Sequence, residues 1–345
     1  MSRPDHPLRR LLEAAAPGAL IEDRLPLGSM ASGAAMAIPL VIAKGTRPGP
    51  CLWVNGQVHG DELNGVFAAL DFVRGLDRDR LASSVVVSST ANPFALDGRR
   101  RRSPQDDLDL DQAFPGNAGG GTTERAAAAL APALLACADA LVSLHTTMAS
   151  ADAEPFAAYK APPAGGAVTE AALLRLIGAF RPTLACLMPS HARPGDTTGH
   201  AAGTLDHLLL QAGRPAFMIE LGGGGRCEPA HVAQGVAGLH GTAQLLGLLD
   251  GPAPALPERL IRVTHFRMPT AGTGGLFRAR RRPADGVVPA GEPFGEIIDL
   301  YGRPIERAAF DRPCRLIAVR RDPAVHFGDR LAIAALEWDE VECIK

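Results

Sequence analysis

The chain has 345 residues, of which 46% are hydrophobic and 21% charged, a composition typical of a globular protein with a sizeable core. A net charge of -2 and a pI near 6.6 argue against nucleic-acid and anionic-membrane partners, so a small molecule or peptide is expected. No apolar run is long enough to span a membrane, and we expect neither insertion nor export. The six scattered cysteines, without a CxxC pair, favour a reduced, cytoplasmic protein.

From about residue 36 to residue 250, strand-like and helix-like segments alternate. This alternation predicts a layered α/β domain with a largely parallel sheet. The predicted strands are MAIPLVIA, CLWVNGQ, SVVVSST, ALVSLH, LACLMP and AFMIELG. The predicted helices are ELNGVFAALDFVRGL, TTERAAAALAPALLACAD, GTLDHLLLQAG and EPAHVAQGVAGLHGTAQLLGLL. Thr122 or Thr123 is the expected N-cap of the second helix. The first helix is expected to present one apolar face of Leu63, Val66, Phe67, Leu70 and Val73.

The composition changes after Asp250, where GPAPALPERL forms a proline-rich connector. Beyond it, short strand-like runs are separated by glycine and proline, with few long helical patterns. We therefore predict two domains, an α/β domain over residues 1–250 and a β-rich domain over residues 258–345.

Three predicted strands end in side chains suited to metal chemistry. His59 and Glu62 follow the strand CLWVNGQ, and His145 ends the strand ALVSLH. The carboxyl ends of strands in open α/β sheets are where ligand-binding groups gather, and a catalytic zinc site needs three protein ligands. Glu220, near the end of AFMIELG and separated by one leucine from four glycines, is the candidate general base.

These segments resemble the succinylglutamate desuccinylase/aspartoacylase family of zinc-dependent amidohydrolases. The resemblance rests on GPCLWVNGQVHGDELNG, ANPFALDGRRRRSPQDDLDLDQAFPG, SLHTT and GTLDHLLLQAGRPAFMIELGGGG. It implies a zinc-carboxypeptidase-like mixed sheet flanked by helices, and one Zn2+ per chain bound by His59, Glu62 and His145. Glu220 would then take a proton from water and return it to the leaving amine. Arg101, with Arg100 and Arg102 as alternatives, would polarise the acyl carbonyl.

One segment departs from the family pattern DLNRxFPG, because this chain reads DLDQAFPG. Asp111 and Gln112 thus replace an Asn and an Arg that generally hold a substrate carboxylate, and with Asn92 they are the predicted substrate-binding residues. One interpretation is a neutral or cationic substrate group that Asp111 could pair with. The other is that Arg99, Arg193 or Arg214 supplies the missing positive charge.

The C-terminal segment DGVVPAGEPFGEIIDLYG resembles the small β-barrel of biotinyl/lipoyl carriers, but DRPCRLIA stands where their modified lysine would be expected. We expect a structural or pocket-closing domain without a covalent cofactor. Pro155 and Phe156 are expected at the pocket wall, with core packing as an equal alternative. His191 and His200 are interpreted as solvated loop histidines.

The predicted function is hydrolysis of an amide bond in a small N-acyl compound by metal-activated water. The alternatives are peptidase-like trimming of a peptide terminus and a non-catalytic binding paralogue. A homo-oligomeric assembly is compatible with the sequence.

Overall fold

The predicted strands and helices are present, and the strands form a large mixed sheet. The computed structural model describes residues 3–189, 203–225, 227–252 and 254–343. The helices are α1 (Pro7–Ala14), α2 (Asn64–Gly75), α3 (Pro93–Gly98), α4 (Thr122–Cys137), α5 (Glu170–Gly178), α6 (Leu205–Gln211) and α7 (Pro229–Leu245). The strands before residue 250 are β1 (Leu20–Ser29), β2 (Ala35–Lys44), β3 (Arg47–Asn55), β4 (Ala82–Ser88), β5 (Ala140–Thr147), β6 (Ala151–Ala153), β7 (Phe156–Lys160), β8 (Ala185–Met188) and β9 (Ala216–Gly223).

The sheet begins with the strand order β1-β2-β4-β3-β5-β9-β7-β8. Strands β4, β3, β5 and β9 run parallel to one another, whereas β2 pairs antiparallel with both β1 and β4, and β7 pairs antiparallel with β9. All eight residues of β5 are buried, as expected for a central strand covered on both faces. The predicted mixed sheet flanked by helices is therefore confirmed.

The C-terminal region is composed mainly of strands, as predicted. They are β10 (Arg259–Arg267), β11 (Gly275–Ala279), β12 (Val287–Val288), β13 (Gly295–Ile298), β14 (Pro304–Ala308), β15 (Cys314–Arg320), β16 (Ala324–Val325) and β17 (Ala332–Glu342). Strands β14, β13, β11 and β16 form a separate antiparallel sheet. Strand β10, however, pairs in parallel with β8 and extends the large sheet through β17, β15 and β12. The sheet thus continues across the predicted boundary, and the division into two domains stays a prediction.

The predicted apolar face of α2 is only partly confirmed. Val73 is buried and Leu63, Val66 and Leu70 are half-buried, but Phe67 is 45% exposed. The helix also buries Gly65, Ala68, Ala69 and Phe72. Small residues are buried there because α2 packs closely against α7: a Cβ on Gly235 would lie 2.8 Å from the Cβ of Ala68.

The N-cap of α4 is Gly121, and neither Thr122 nor Thr123 caps the helix. The Asp106 carboxylate reaches from the preceding loop and accepts hydrogen bonds from the Thr123 backbone N–H (2.8 Å) and hydroxyl (2.7 Å). The Glu124 carboxylate accepts from the Gly121 backbone N–H at 3.0 Å, so a local and a distant carboxylate together cap the helix. Among the described residues, no helix is both long and apolar enough to cross a membrane.

Candidate metal and catalytic site

The four predicted metal and base residues meet because β3, β5 and β9 are parallel neighbours. His59 and Glu62 lie between the end of β3 and the start of α2, and His145 and Glu220 are direct partners across β5 and β9. Carboxyl ends of parallel strands lie at the same edge of a sheet, so the side chains following them share one rim.

Glycines allow the loop after β3 to pack this closely. A Cβ on Gly60 would lie 1.8 Å from the carbonyl oxygen of Ala95 in α3, and a Cβ on Gly65 would lie 2.3 Å from the carbonyl oxygen of Gly56. Both distances are far inside van der Waals contact, so only glycine fits. The loop is thereby held against α3 with His59 pointing into the site.

The side chains of His59, Glu62 and His145 are buried, and one potential ligand atom from each lies within 4.8 Å of the others. Nδ1 of His59 is 2.9 Å from Glu62 Oε1, and Nδ1 of His145 donates to Glu62 Oε2 at 3.0 Å. The same ring nitrogen of both histidines therefore faces the same carboxylate.

This cluster fits a metal ion. Nδ1 of His59 is shut off from solvent and has no hydrogen-bond partner, because its contact with Glu62 is close but poorly aligned. Burial lowers the pKa of His59, but the Glu62 carboxylate outweighs it and raises this pKa to about 10. Two imidazoles and one carboxylate are a donor set that catalytic zinc sites use.

The Nε2 atoms of His59 and His145, which face away from Glu62, also have polar partners. Nε2 of His59 donates to Asp109 Oδ1 at 3.0 Å, and Nε2 of His145 lies 3.2 Å from the Ser143 hydroxyl. Burial raises the pKa of Asp109, but the hydrogen bond from His59 and the charge of Arg101 hold it well below its usual range. A carboxylate behind a ligating histidine fixes the ring's orientation and tautomer.

Sequence reasoning missed Asp109. The segment DDLDLD places acids at alternating positions, and this pattern could have indicated Asp109 as well as Asp111.

Arg101 lies beside the cluster. Its Nε donates to Asp109 Oδ2 at 3.0 Å and its Nη1 to Glu62 Oε1 at 3.4 Å, while about half of the side chain stays exposed. Arg102 also lines the cavity but pairs with Asp107 on its outer side at 3.4 Å. Of the three arginines considered from the sequence, Arg101 is the one bonded to the metal-site residues, and Arg100 is exposed.

Glu220 has the environment of a proton carrier. Its Oε2 is buried without a hydrogen-bond partner. Burial, reinforced by the negative charge of Glu62, raises the pKa of Glu220 to about 7. A carboxyl group with a pKa near neutrality can both accept and return a proton.

These residues open onto a cavity of about 400 Å³. Its floor is the sheet itself, and the C-terminal strands close one wall. The floor is formed by Phe156, Ala158, Lys160, Cys186, Met188 and Met218, and the closing wall by Phe266, Met268, Ile317, Arg330 and Ile333. Phe156 thus lines the pocket and also packs in a hydrophobic cluster, so both positions expected for it are found.

Two of the three predicted substrate-binding residues line the cavity, and the third caps a helix. Asp111 and Gln112 line the cavity, and Asp111 Oδ2 lies 3.8 Å from Nε2 of His145 and 4.0 Å from Nε2 of His59. Asn92 instead caps α3, and its amide donates to the Ser103 hydroxyl at 3.1 Å. Its role in substrate binding stays a prediction.

The structure places neither Arg99 nor Arg214 in the cavity wall. Arg214 donates to the carbonyl oxygens of Leu135 and Ala138 at the end of α4, and Arg99 is an exposed residue that ends α3. Arg193, like His191 and His200, lies outside the described residues.

Comparisons with known proteins identify the family and the fold of this chain. A family model described as the succinylglutamate desuccinylase/aspartoacylase catalytic domain matches residues 48–246. The chain is 28% identical over 324 residues to the N-alpha-acetyl-L-2,4-diaminobutyric acid deacetylase of Halomonas elongata, covering 90% of each chain.

Solved structures share the fold. The ectoine utilization protein EutE (DoeB) of Ruegeria pomeroyi, in its product-bound form, is 24% identical with a TM-score of 0.80, covering 94% of this chain and 98% of that one. A succinylglutamate desuccinylase/aspartoacylase of Rhodobacter sphaeroides is 25% identical with a TM-score of 0.77, covering 92% and 96% of the two chains. With the family match spanning more than half of its length, this chain belongs to the succinylglutamate desuccinylase/aspartoacylase family.

Proposed function

We propose that the protein is a zinc-dependent deacylase that hydrolyses the amide bond of a small N-acyl compound. The observation that carries the proposal is the meeting of three buried ligand side chains, His59, Glu62 and His145, beside the unpartnered carboxyl oxygen of Glu220. A cavity of about 400 Å³ suits a small molecule better than an extended peptide.

His59, Glu62 and His145 would hold one zinc ion per chain. When bound, the ion would supply a Lewis acid for the acyl carbonyl and make water more acidic. Glu220 takes the proton of the attacking water and delivers it to the leaving amine, which its pKa of about 7 supports. Arg101 donates to the carbonyl oxygen as negative charge develops there, with Asp109 holding its guanidinium in place.

Asp111 directs the choice of substrate in this proposal. Its carboxyl group is buried at the cavity wall near both histidines, where a neutral or cationic substrate group would be favoured over a carboxylate. The named substrate of the Halomonas relative is an acetylated diamino acid, which carries a carboxylate and also a free amine that a carboxyl group such as that of Asp111 could pair with.

The proposal includes the cellular location of the protein. All six cysteines carry free thiols, five of them buried, and we infer a cytoplasmic protein.

The first test is metal content. The purified protein is compared with a His59→Ala/His145→Ala double variant by elemental analysis, and about one zinc per chain, lost in the variant, is expected. Absence of metal from the unmodified protein after zinc is supplied would favour a non-catalytic binding paralogue.

The second test is a panel of N-acetyl amines that carry a carboxylate, an amide or an amine next to the acylated nitrogen. Faster turnover of the amide and amine members is expected. A clear preference for the carboxylate would refute the role given to Asp111.

A further inference from the structure

A buried ion pair lies at the far end of the cavity floor, and the proposed chemistry does not use it. Nζ of Lys160 donates to both carboxylate oxygens of Asp206 at 2.7 Å. Lys160 is 4% exposed and Asp206 is 1% exposed. Of the two, Lys160 lines the cavity and Asp206 stands behind it in the first turn of α6.

The strand register places this pair well away from the catalytic group. Strand β7 runs antiparallel to β9, with Phe156 opposite Glu220 and Ala158 opposite Met218. Alternate residues of a strand share a face, so Lys160 follows Phe156 and Ala158 along the cavity floor. Four residues at about 3.3 Å each separate the level of Lys160 from that of Glu220 by about 13 Å.

Between these two levels the floor is apolar. Ala158, Cys186, Met188 and Met218 line it, and Met218 approaches the ammonium group of Lys160, with its sulfur 3.2 Å from Nζ. A thioether is a weak acceptor, so the third N–H of Lys160 has no strong partner among the residues that the structure describes. The floor therefore ends in a donor that a ligand oxygen can engage.

A purely structural role explains this pair poorly. Desolvating two charges costs several kcal/mol per ion, and well-packed apolar residues of similar volume are often equally stabilising or more so. The pair stands at a cavity wall, where a positioned ammonium group can distinguish ligands, and the two bonds to Asp206 hold Nζ in one place.

We propose that Lys160, positioned by Asp206, is a specificity-determining residue that donates a hydrogen bond to an oxygen acceptor at the far end of the substrate. The inference rests on the proposed function, because it names the substrate class of that site. The substrate has an N-acyl group at one end, an apolar spacer over Met188 and Met218, and a carboxylate or carboxamide at the other end. A terminal ammonium group is rejected by like charge.

The test removes both charges together, so that neither is left buried without its partner. The Lys160→Met/Asp206→Leu double variant is compared with the unmodified protein on N-acetyl amines whose alkyl spacers end in carboxylate, carboxamide, methyl or ammonium. An Arg74→Met/Glu22→Leu variant is the matched control, since that ion pair is exposed and does not line the cavity. Melting temperature and zinc content report on folding.

The double variant is expected to lower kcat/KM for the carboxylate- and carboxamide-ended compounds about 10- to 100-fold, mainly through KM. The methyl-ended compound keeps its rate or gains, and the control variant leaves all four compounds unchanged. The carboxylate and carboxamide arms show which oxygen acceptor is preferred. Equal changes for all four compounds, or no change, would overturn the inference.

A binding measurement separates this inference from the proposed function. If the unmodified protein hydrolyses none of the four compounds, the deacylase proposal fails and calorimetric binding of the same compounds decides the role of Lys160. Weaker binding of the oxygen-ended compounds alone in the double variant supports the inference. Binding without any preference for the end group contradicts it.

Discussion

Replacing Asp109 tests whether the metal site depends on the residue behind its ligands. Asp109 Oδ1 accepts from Nε2 of His59 and from the backbone N–H of Asp111, and its Oδ2 accepts from Nε of Arg101. Asp109→Asn keeps the size of the side chain and one oxygen acceptor. It removes the negative charge and turns an N–H group toward Arg101, which itself can only donate.

The size of the effect follows from these bonds. A hydrogen bond to a charged group contributes about 1.5–3 kcal/mol, and each 1.4 kcal/mol is a factor of ten in an equilibrium constant. The His59 bond weakens and the Arg101 bond is lost, so zinc affinity is expected to fall about 10- to 100-fold, the usual range for carboxylates behind metal-binding histidines. Turnover with saturating zinc is also expected to fall, because Arg101 is released.

The assay is a competition titration of zinc against a chelator, followed by kcat measured at saturating zinc. Asp107→Asn is the matched control, because Asp107 lies in the same loop and its exposed side chain pairs only weakly with Arg102. Its left-handed backbone, with φ of 55°, tolerates asparagine. The control is expected to bind zinc like the unmodified protein.

The reasoning would be refuted by an Asp109→Asn protein whose zinc affinity and kcat match those of the Asp107→Asn control. In that case the hydrogen bond to His59 would not be what holds the ligand, and the packing of Gly60 against α3 would have to position it alone.

Glu220→Gln is expected to keep zinc content unchanged and to lower kcat about 10²- to 10⁴-fold; substantial remaining turnover would assign proton transfer elsewhere. Zinc binding near pH 8 is expected to release about one proton, because His59 with a pKa of about 10 is protonated without metal and must lose its proton to ligate. Calorimetry in buffers of different ionisation enthalpy measures this release, and an enthalpy independent of buffer would count against it. Gly60→Ala is expected to lower the free energy of unfolding by about 3 kcal/mol through its clash with the carbonyl oxygen of Ala95. Gly75→Ala, in open space at the end of α2, is the control in denaturant titrations and is expected to raise stability by about 0.5–1 kcal/mol; similar values for both would contradict the steric argument.

Much of the candidate site could be predicted from the sequence because each of its residues lies at or just after the end of an apolar strand. Six strand segments and four helices were predicted near their observed positions, and His59, Glu62, His145 and Glu220 follow three of those strands. Parallel pairing of β3, β5 and β9 then makes their convergence a consequence of the fold.

Local sequence pattern was less reliable where packing against a neighbouring element determined which residues are buried. Phe67 of the predicted α2 face is exposed, and Gly65, Ala68 and Ala69 are buried instead, because close packing against α7 favours small side chains. Strand β7, only five residues long and rich in alanine, shows no clear alternation, so beyond Phe156 its contribution to the cavity floor was not predicted.

By itself, the sequence determined which residues are candidates for metal binding and proton transfer, because those residues lie at or just after the ends of clearly apolar strands. Only the tertiary structure decided their partners. Asp109 reaches His59 across a loop, Asp206 of α6 reaches Lys160 of β7, and the C-terminal strands close the cavity wall. Such contacts join residues far apart in the chain, so they depend on the distances that folding creates and leave no periodic signal in the sequence.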